Sequence, residues 1–227
     1  MVILFDLDGT LTDSGEGITK CAQLALEHFG IHVEDCNQLR VFVGPPLRES
    51  FPKFGVPEDQ VEEAVQIFRG RYLTVGKFEN RPYPGIRELL ETLQQQGHRL
   101  FVATSKPEAT AVEILEKFQL SDCFERICGA SMDSGRDTKE AVIAYLLELA
   151  RNIEKAVMVG DTEFDVIGAA AHGIPTIGVS WGYGDTGAMK RAGAAAIAHN
   201  AAELLELLEK YRRNELQKRK NGDFSAL

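Results

Sequence analysis

Short, uninterrupted apolar runs punctuate this chain, separated by longer stretches whose apolar positions recur every three or four residues. Val2–Phe5 is the first run, the pattern of a strand buried on both faces of a parallel sheet. Runs at 100–103, 126–128, 156–159 and 176–179 repeat it. Around these later runs the period becomes helical, at Ile86, Leu89, Leu90 and Leu93, then Val112, Leu115 and Phe118, then Val142, Leu146 and Leu149. Pro84-Gly85, Gly97 and Lys106-Pro107 mark helix ends. Strand and helix in alternation predict a doubly wound α/β domain. Residues 195–198 predict an edge strand, with a Leu-rich last helix behind it.

The alternation fails after the first run. Between 14 and 81 no buried strand is legible, and two helical patterns take its place: Ile18, Cys21, Ala22, Ala25 and Phe29, then Val61, Ala64, Val65, Phe68 and Tyr72. That stretch is too long for one crossover connection. It predicts an inserted helical domain over 15–81, bounded by Gly15/Gly17 and by 80–85, with a core made of 1–14 and 82–227. The charged stretch 211–220 reads as a solvated helix end.

Chemistry concentrates where the strands end. Asp6 and Asp8 follow the first strand two residues apart, and side chains at that spacing share a strand face. Two such carboxylates repel unless a cation lies between them or one is protonated. Asp161 closes the fourth strand and Asp165 lies one turn into the next helix. Oxygen-only donors suit Mg²⁺, and the five scattered histidines and four cysteines form no zinc pattern. Thr104 and Ser105 end the second strand before a helix, where a hydroxyl and free N–H groups make an anion site. Thr138-Lys139 opens the helix after the third strand, bringing an ammonium to the same sheet edge. Open α/β sheets bind their ligands at that edge. Gly182, Gly184 and Gly187 match GxGxxG but follow the fifth strand, so they read as a loop on the site rim rather than a dinucleotide fingerprint.

Composition narrows the partners. The 227 residues carry a net charge of −9, which argues against general nucleic-acid binding. No run is long enough for a membrane span, and the start lacks a basic segment. Cys21, Cys36, Cys123 and Cys128 make no CxxC pair, as expected of free thiols in a reducing cytoplasm. A cytoplasmic protein, monomeric or weakly dimeric, is the expectation.

With these residues laid out, the chain resembles the haloacid dehalogenase superfamily of aspartate-nucleophile phosphohydrolases. Asp6-x-Asp8-Gly9-Thr10-Leu11 matches its first motif, Thr104 the second, Lys139 the third and Gly160-Asp161-x-x-x-Asp165 the fourth. The insertion directly after the first motif is similar to a subclass I cap on a Rossmann-like core. The segment 6–18 and the loop 43–47 resemble phosphoglycolate phosphatase-like proteins most. The resemblance implies Asp6 as nucleophile through an aspartyl-phosphate, and Asp8 as general acid and base. It implies Mg²⁺ held by Asp6, the main-chain carbonyl of Asp8, and Asp161, with Asp165 orienting Lys139 or a metal-bound water. Gly9, Thr10, Thr104, Ser105 and Lys139 would face the phosphoryl group of a small phosphorylated metabolite. Arg48 and Lys20 would grip a distal anionic group, or be solvated surface charges. An aspartate at position 8 favours phosphatases and phosphomutases over the dehalogenase and phosphonate-cleaving branches. Alternatives on the same scaffold are a 5′-nucleotidase or pyrophosphatase, a β-phosphoglucomutase-like mutase, and a non-catalytic phosphate-binding protein.

Overall fold

The computed structural model describes residues 1–131, 135–150, 153 and 155–220, with the side chains of 215–220 outside that description. The chain enters as β1 (Val2–Phe5), turns through the two-residue β2 (Thr12–Asp13), and leaves the sheet as α1 (Gly15–His28). A 3-10 segment (Cys36–Phe42), α2 (Leu47–Lys53) and α3 (Val61–Thr74) follow, and β3 (Arg81–Pro82) returns. Next come α4 (Ile86–Gln95), β4 (Arg99–Pro107), α5 (Glu108–Lys117), β5 (Arg126–Ala130) and α6 (Lys139–Leu149). The chain then runs through β6 (Ala156–Gly160), α7 (Glu163–Ala170), β7 (Thr176–Val179), α8 (Thr186–Ala192), β8 (Ala196–Ala198) and α9 (Ala201–Lys220).

Six strands form one parallel sheet in the order β5-β4-β1-β6-β7-β8. β1 is central, with Phe5 opposite Val102 on one side and Val159 on the other. Its four residues are buried because helices cover both faces, which is why it reads as an unbroken apolar run. Each such side chain contributes roughly 1.5–3 kcal/mol by leaving water. The winding reverses between β1 and β6, so the crevice at their carboxyl ends is the switch point where ligands bind in this architecture. The α/β class expected from the pattern is the one observed.

Three local features differ from the sequence expectation. β4 runs to Pro107 instead of stopping near Ala103, because its pairing with β5 slips between Ala103 and Pro107 and the strand resumes. Thr104 and Ser105 therefore sit in an irregular strand end, and α5 begins only at Glu108. The stretch 14–81 is flanked by a short antiparallel ribbon, Thr12 opposite Pro82 and Asp13 opposite Arg81, too brief to leave a periodic signal. Within the Gly-rich stretch, α8 starts at Thr186, capped by the Asp185 carboxylate, which accepts from the N–H groups of Gly187 and Ala188.

Helices α1 to α3 bury an apolar cluster of their own, including Cys21, Leu26, Leu39, Phe51, Val65 and Phe68. Tyr183 packs against this cluster from the core, and the segment behind α3 adds polar links: Lys77 pairs with Glu113, and Lys117 Nζ donates to the Phe78 carbonyl at 3.1 Å. Among the described residues no helix is long and apolar enough to cross a membrane.

Candidate active site

β1 delivers the first acidic pair. The Asp6 N–H still donates to the Val159 carbonyl at 2.9 Å, after which Gly9, at φ +82°, turns the chain. A Cβ on Gly9 would stand 2.2 Å from Asp161 Oδ2, so the turn lets the first-strand loop lie directly on the end of β6. Asp161 is 1% exposed, and Asp165 is fully buried on α7. Thr162 caps that helix in a capping box with Asp165, whose Oδ2 accepts from the Thr162 N–H and hydroxyl at 3.0 and 2.9 Å.

Lys139 joins the two clusters. Its ammonium, only 5% exposed, lies 2.6 Å from Asp6 Oδ1 and 2.8 Å from Asp165 Oδ1, and donates to the Ala103 carbonyl at 2.9 Å. Ligand oxygens of Asp6, Asp161 and Asp165 all fall within 4.8 Å of one another. The Asp8 carboxylate lies outside that trio and pairs through Oδ2 with Lys106 at 2.8 Å. Four carboxylates stand against two ammonium groups, so full ionisation would leave two negative charges unmatched. Burial pushes Asp161 up to about 8, aided by Asp165 and Asp6. Burial also lifts Asp6 to about 6, against the pull of Lys139 and with Asp165 and Asp8 adding to the rise. Burial would lower Lys139, but Asp165 and Asp6 overcome it and hold the ammonium above its ordinary range.

These shifts set a pH dependence. Folded Asp161 holds its proton more tightly than the unfolded side chain at 3.8, so its ionisation opposes folding. The penalty is absent at low pH, grows as pH rises above the unfolded value, and is complete beyond the folded one. In EDTA the thermal midpoint of the wild type is expected to fall steadily relative to Asp161→Asn between about pH 5.5 and pH 8, the range in which the unfolded side chain is ionised while the folded one still holds its proton. Parallel profiles for the two proteins would contradict this.

The loop after β7 seals the rim. A Cβ on Gly182 would meet Asp161 Oδ2 at 2.3 Å, and one on Gly184 would meet the Asp161 carbonyl oxygen at 2.0 Å. Between them the Tyr183 N–H donates to Asp161 Oδ2 at 2.8 Å. The Tyr183 hydroxyl accepts from the Gly15 N–H at 2.6 Å and donates to Asp13 Oδ1 at 2.5 Å, tying the loop to the start of α1. Because the obstacle at Gly184 is backbone, Gly184→Ala is expected to cost roughly 1–3 kcal/mol in urea unfolding. An unchanged midpoint would refute that packing argument.

The remaining candidates are distributed unevenly. Thr104 is buried, and its Oγ1 accepts from the Lys106 N–H at 3.2 Å, while Ser105 is exposed beside it. Thr10 is buried and donates to Asp161 Oδ1 at 3.3 Å. Arg48 and Lys20 are not brought to this cluster. Arg48, 53% exposed, pairs with Glu62 on the insert, and Lys20, 45% exposed, pairs with Glu16 and Glu79. Sequence reasoning passed over Lys106, Tyr72 and Tyr183. Lys106 lies in a segment valued for its hydroxyls, and Tyr72 has the spacing of a core residue. Tyr183 sits between the glycines, and only its bulk there hints at a role.

The sequence profile described as haloacid dehalogenase-like hydrolase matches residues 3–179. A 5′-nucleotidase of Pseudomonas aeruginosa is 41% identical over 92% of this chain and 96% of its own. Tyrosine-protein kinase PtkA of Mycobacterium tuberculosis is 43% identical over 92% of this chain and 71% of its own. The crystal structure of a predicted phosphatase from Clostridium acetobutylicum superposes with a TM-score of 0.86 at 44% identity, over 92% of this chain and 98% of that one. Relatives named phosphoglycolate phosphatase match at 30–34% identity.

Proposed function

The chain belongs to the haloacid dehalogenase-like hydrolase family, and from that premise we propose that it is a Mg²⁺-dependent phosphomonoester hydrolase with Asp6 as nucleophile. The observation that carries this reading is the Lys139 clamp, which holds Asp6 and Asp165 beside Asp161 at the sheet's switch point. Asp6 attacks phosphorus in line and forms an aspartyl-phosphate. Asp8 protonates the departing alcohol and then takes a proton from the attacking water. Lys139, the Thr104 hydroxyl and the Ser105 N–H carry charge on the transferring group, with Gly9 and Thr10 shaping the loop around it. Asp165 keeps Lys139 aimed at Asp6.

The donor set fits a hard divalent cation: oxygens only, three carboxylates within reach of one ion, and more carboxylates than ammonium groups to balance them. Asp6, Asp161 and the main-chain carbonyl of Asp8 would hold Mg²⁺, with Asp165 behind them. Bound there, the ion would neutralise charge shared between the carboxylates and the phosphoryl oxygens. Residues 15–81 would act as a cap that excludes water and selects the leaving group.

The substrate class is a small phosphorylated metabolite, with phosphoglycolate as first candidate from the loop resemblance. The likeness to a 5′-nucleotidase over nearly all of both chains supports nucleoside monophosphates as a second reading. The test is phosphate release from phosphoglycolate, sugar phosphates, nucleoside monophosphates and pyrophosphate, each with Mg²⁺ and with EDTA. Release that requires Mg²⁺ is expected, and the fastest ester names the class. No release on any member, or release indifferent to EDTA, would overturn the reading.

A further inference from the structure

Lys106 is a buried ammonium to which the mechanism above gives no task. It extends from the irregular end of β4, where its own N–H is fixed by Thr104 Oγ1 at 3.2 Å. Its Nζ meets Asp8 Oδ2 at 2.8 Å on the core side. On the other side it donates to the hydroxyl of Tyr72 from α3, and it lies 4.6 Å from the centre of that ring. Tyr72 in turn is stacked on Phe68, 5.5 Å between ring centres, inside the apolar cluster of the insert. Asp8 Oδ1, the second carboxylate oxygen, is buried with no hydrogen-bond partner. Among the described residues, Lys106 is the one cation paired with Asp8, and it is also the link from Asp8 to the insert.

Resting on the phosphatase reading, we propose that Lys106 is a positioning residue. It pins Asp8 through Oδ2 so that Oδ1 faces the leaving-group oxygen, and Tyr72 makes this alignment conditional on the insert lying against the core. The proton balance follows. As the phosphorus–oxygen bond of the ester breaks, the Oδ1–H bond breaks and its proton goes to the departing alkoxide. When water attacks the aspartyl-phosphate, the proton it loses returns to Oδ1. Oδ2 stays on Lys106 throughout. With the insert swung away, Tyr72 leaves, the ammonium loses its second anchor, and the acid is no longer aimed.

A general acid matters in proportion to how badly the leaving group needs a proton. The test therefore compares the fastest alkyl ester of the panel with p-nitrophenyl phosphate, whose phenolate departs unprotonated. Lys106→Met is expected to lower kcat/KM, which reports the ester-cleaving step and not the shared hydrolysis of the aspartyl-phosphate, by about tenfold to a hundredfold on the alkyl ester, a fraction of a full acid–base contribution. The loss of kcat/KM on p-nitrophenyl phosphate is expected to be much smaller. Lys106→Arg should recover part of the alkyl-ester rate. Tyr72→Phe keeps the ring and its packing, so it carries the same test if Lys106→Met fails to fold; the same split, smaller, is expected.

Equal losses on both esters, or no loss, would overturn the proposal and mark Lys106 as structural. Asp8→Asn separates the two levels of the argument. If it shows the split and the Lys106 and Tyr72 variants do not, the positioning role alone falls. If Asp8→Asn loses kcat/KM equally on both esters, the acid role assigned to Asp8 falls and the proposal falls with it.

Discussion

Asp6→Asn is expected to lower phosphate release by roughly 10⁴-fold or more, the scale at which removing a covalent nucleophile is felt. The substitution keeps the shape of the side chain and removes its capacity to attack phosphorus. The fold should survive it, because Lys139 retains Asp165 at 2.8 Å and the Ala103 carbonyl at 2.9 Å. One carboxylate fewer also relieves repulsion at a site where burial already lifts the Asp6 pKa to about 6. Initial rates on the best ester, set beside thermal midpoints in EDTA, check both halves. A variant retaining a tenth of wild-type activity would remove Asp6 from the role of nucleophile.

Lys139→Met is expected to damage activity and stability together. In the native protein one ammonium faces Asp6 and Asp165, with Asp161 close by, and all are buried. Taking one partner from a buried ion pair leaves the other charge uncompensated, at about 3–5 kcal/mol. Methionine fills much of the lysine volume, so the loss reports charge more than packing. Urea unfolding in EDTA should show it, and Mg²⁺ should restore part of it by supplying positive charge to the same carboxylates. A stability change of less than about 1 kcal/mol would mean that the carboxylates relieve their repulsion by protonation instead.

The core sheet was legible because its strands are buried on both faces and so appear as unbroken apolar runs. Asp6, Asp161, Asp165 and Lys139 were legible because each stands at the end of a strand or the start of a helix, and parallel topology gathers those ends at one edge. The slipped end of β4 was not legible, since Thr104 and Ser105 interrupt the apolar pattern before the strand stops. Lys106 and Tyr72 escaped for a related reason. Their partnership spans 34 positions and two elements, and helical periodicity reads Tyr72 only as a core residue. Arg48 and Lys20 show the converse, that a cation on the insert is as readily committed to Glu62, or to Glu16 and Glu79, as to a ligand. Charge alone carries no direction, and direction comes from the tertiary structure.

The most direct test of the central claim is to quench the enzyme with borohydride during turnover in Mg²⁺ and sequence its peptides by mass spectrometry. Borohydride reduces an aspartyl-phosphate to homoserine and leaves a free carboxylate untouched. Homoserine at position 6, present with substrate and absent without it, is the predicted result. Phosphate release at full rate with Asp6 unmodified, or homoserine at another aspartate, would contradict the account.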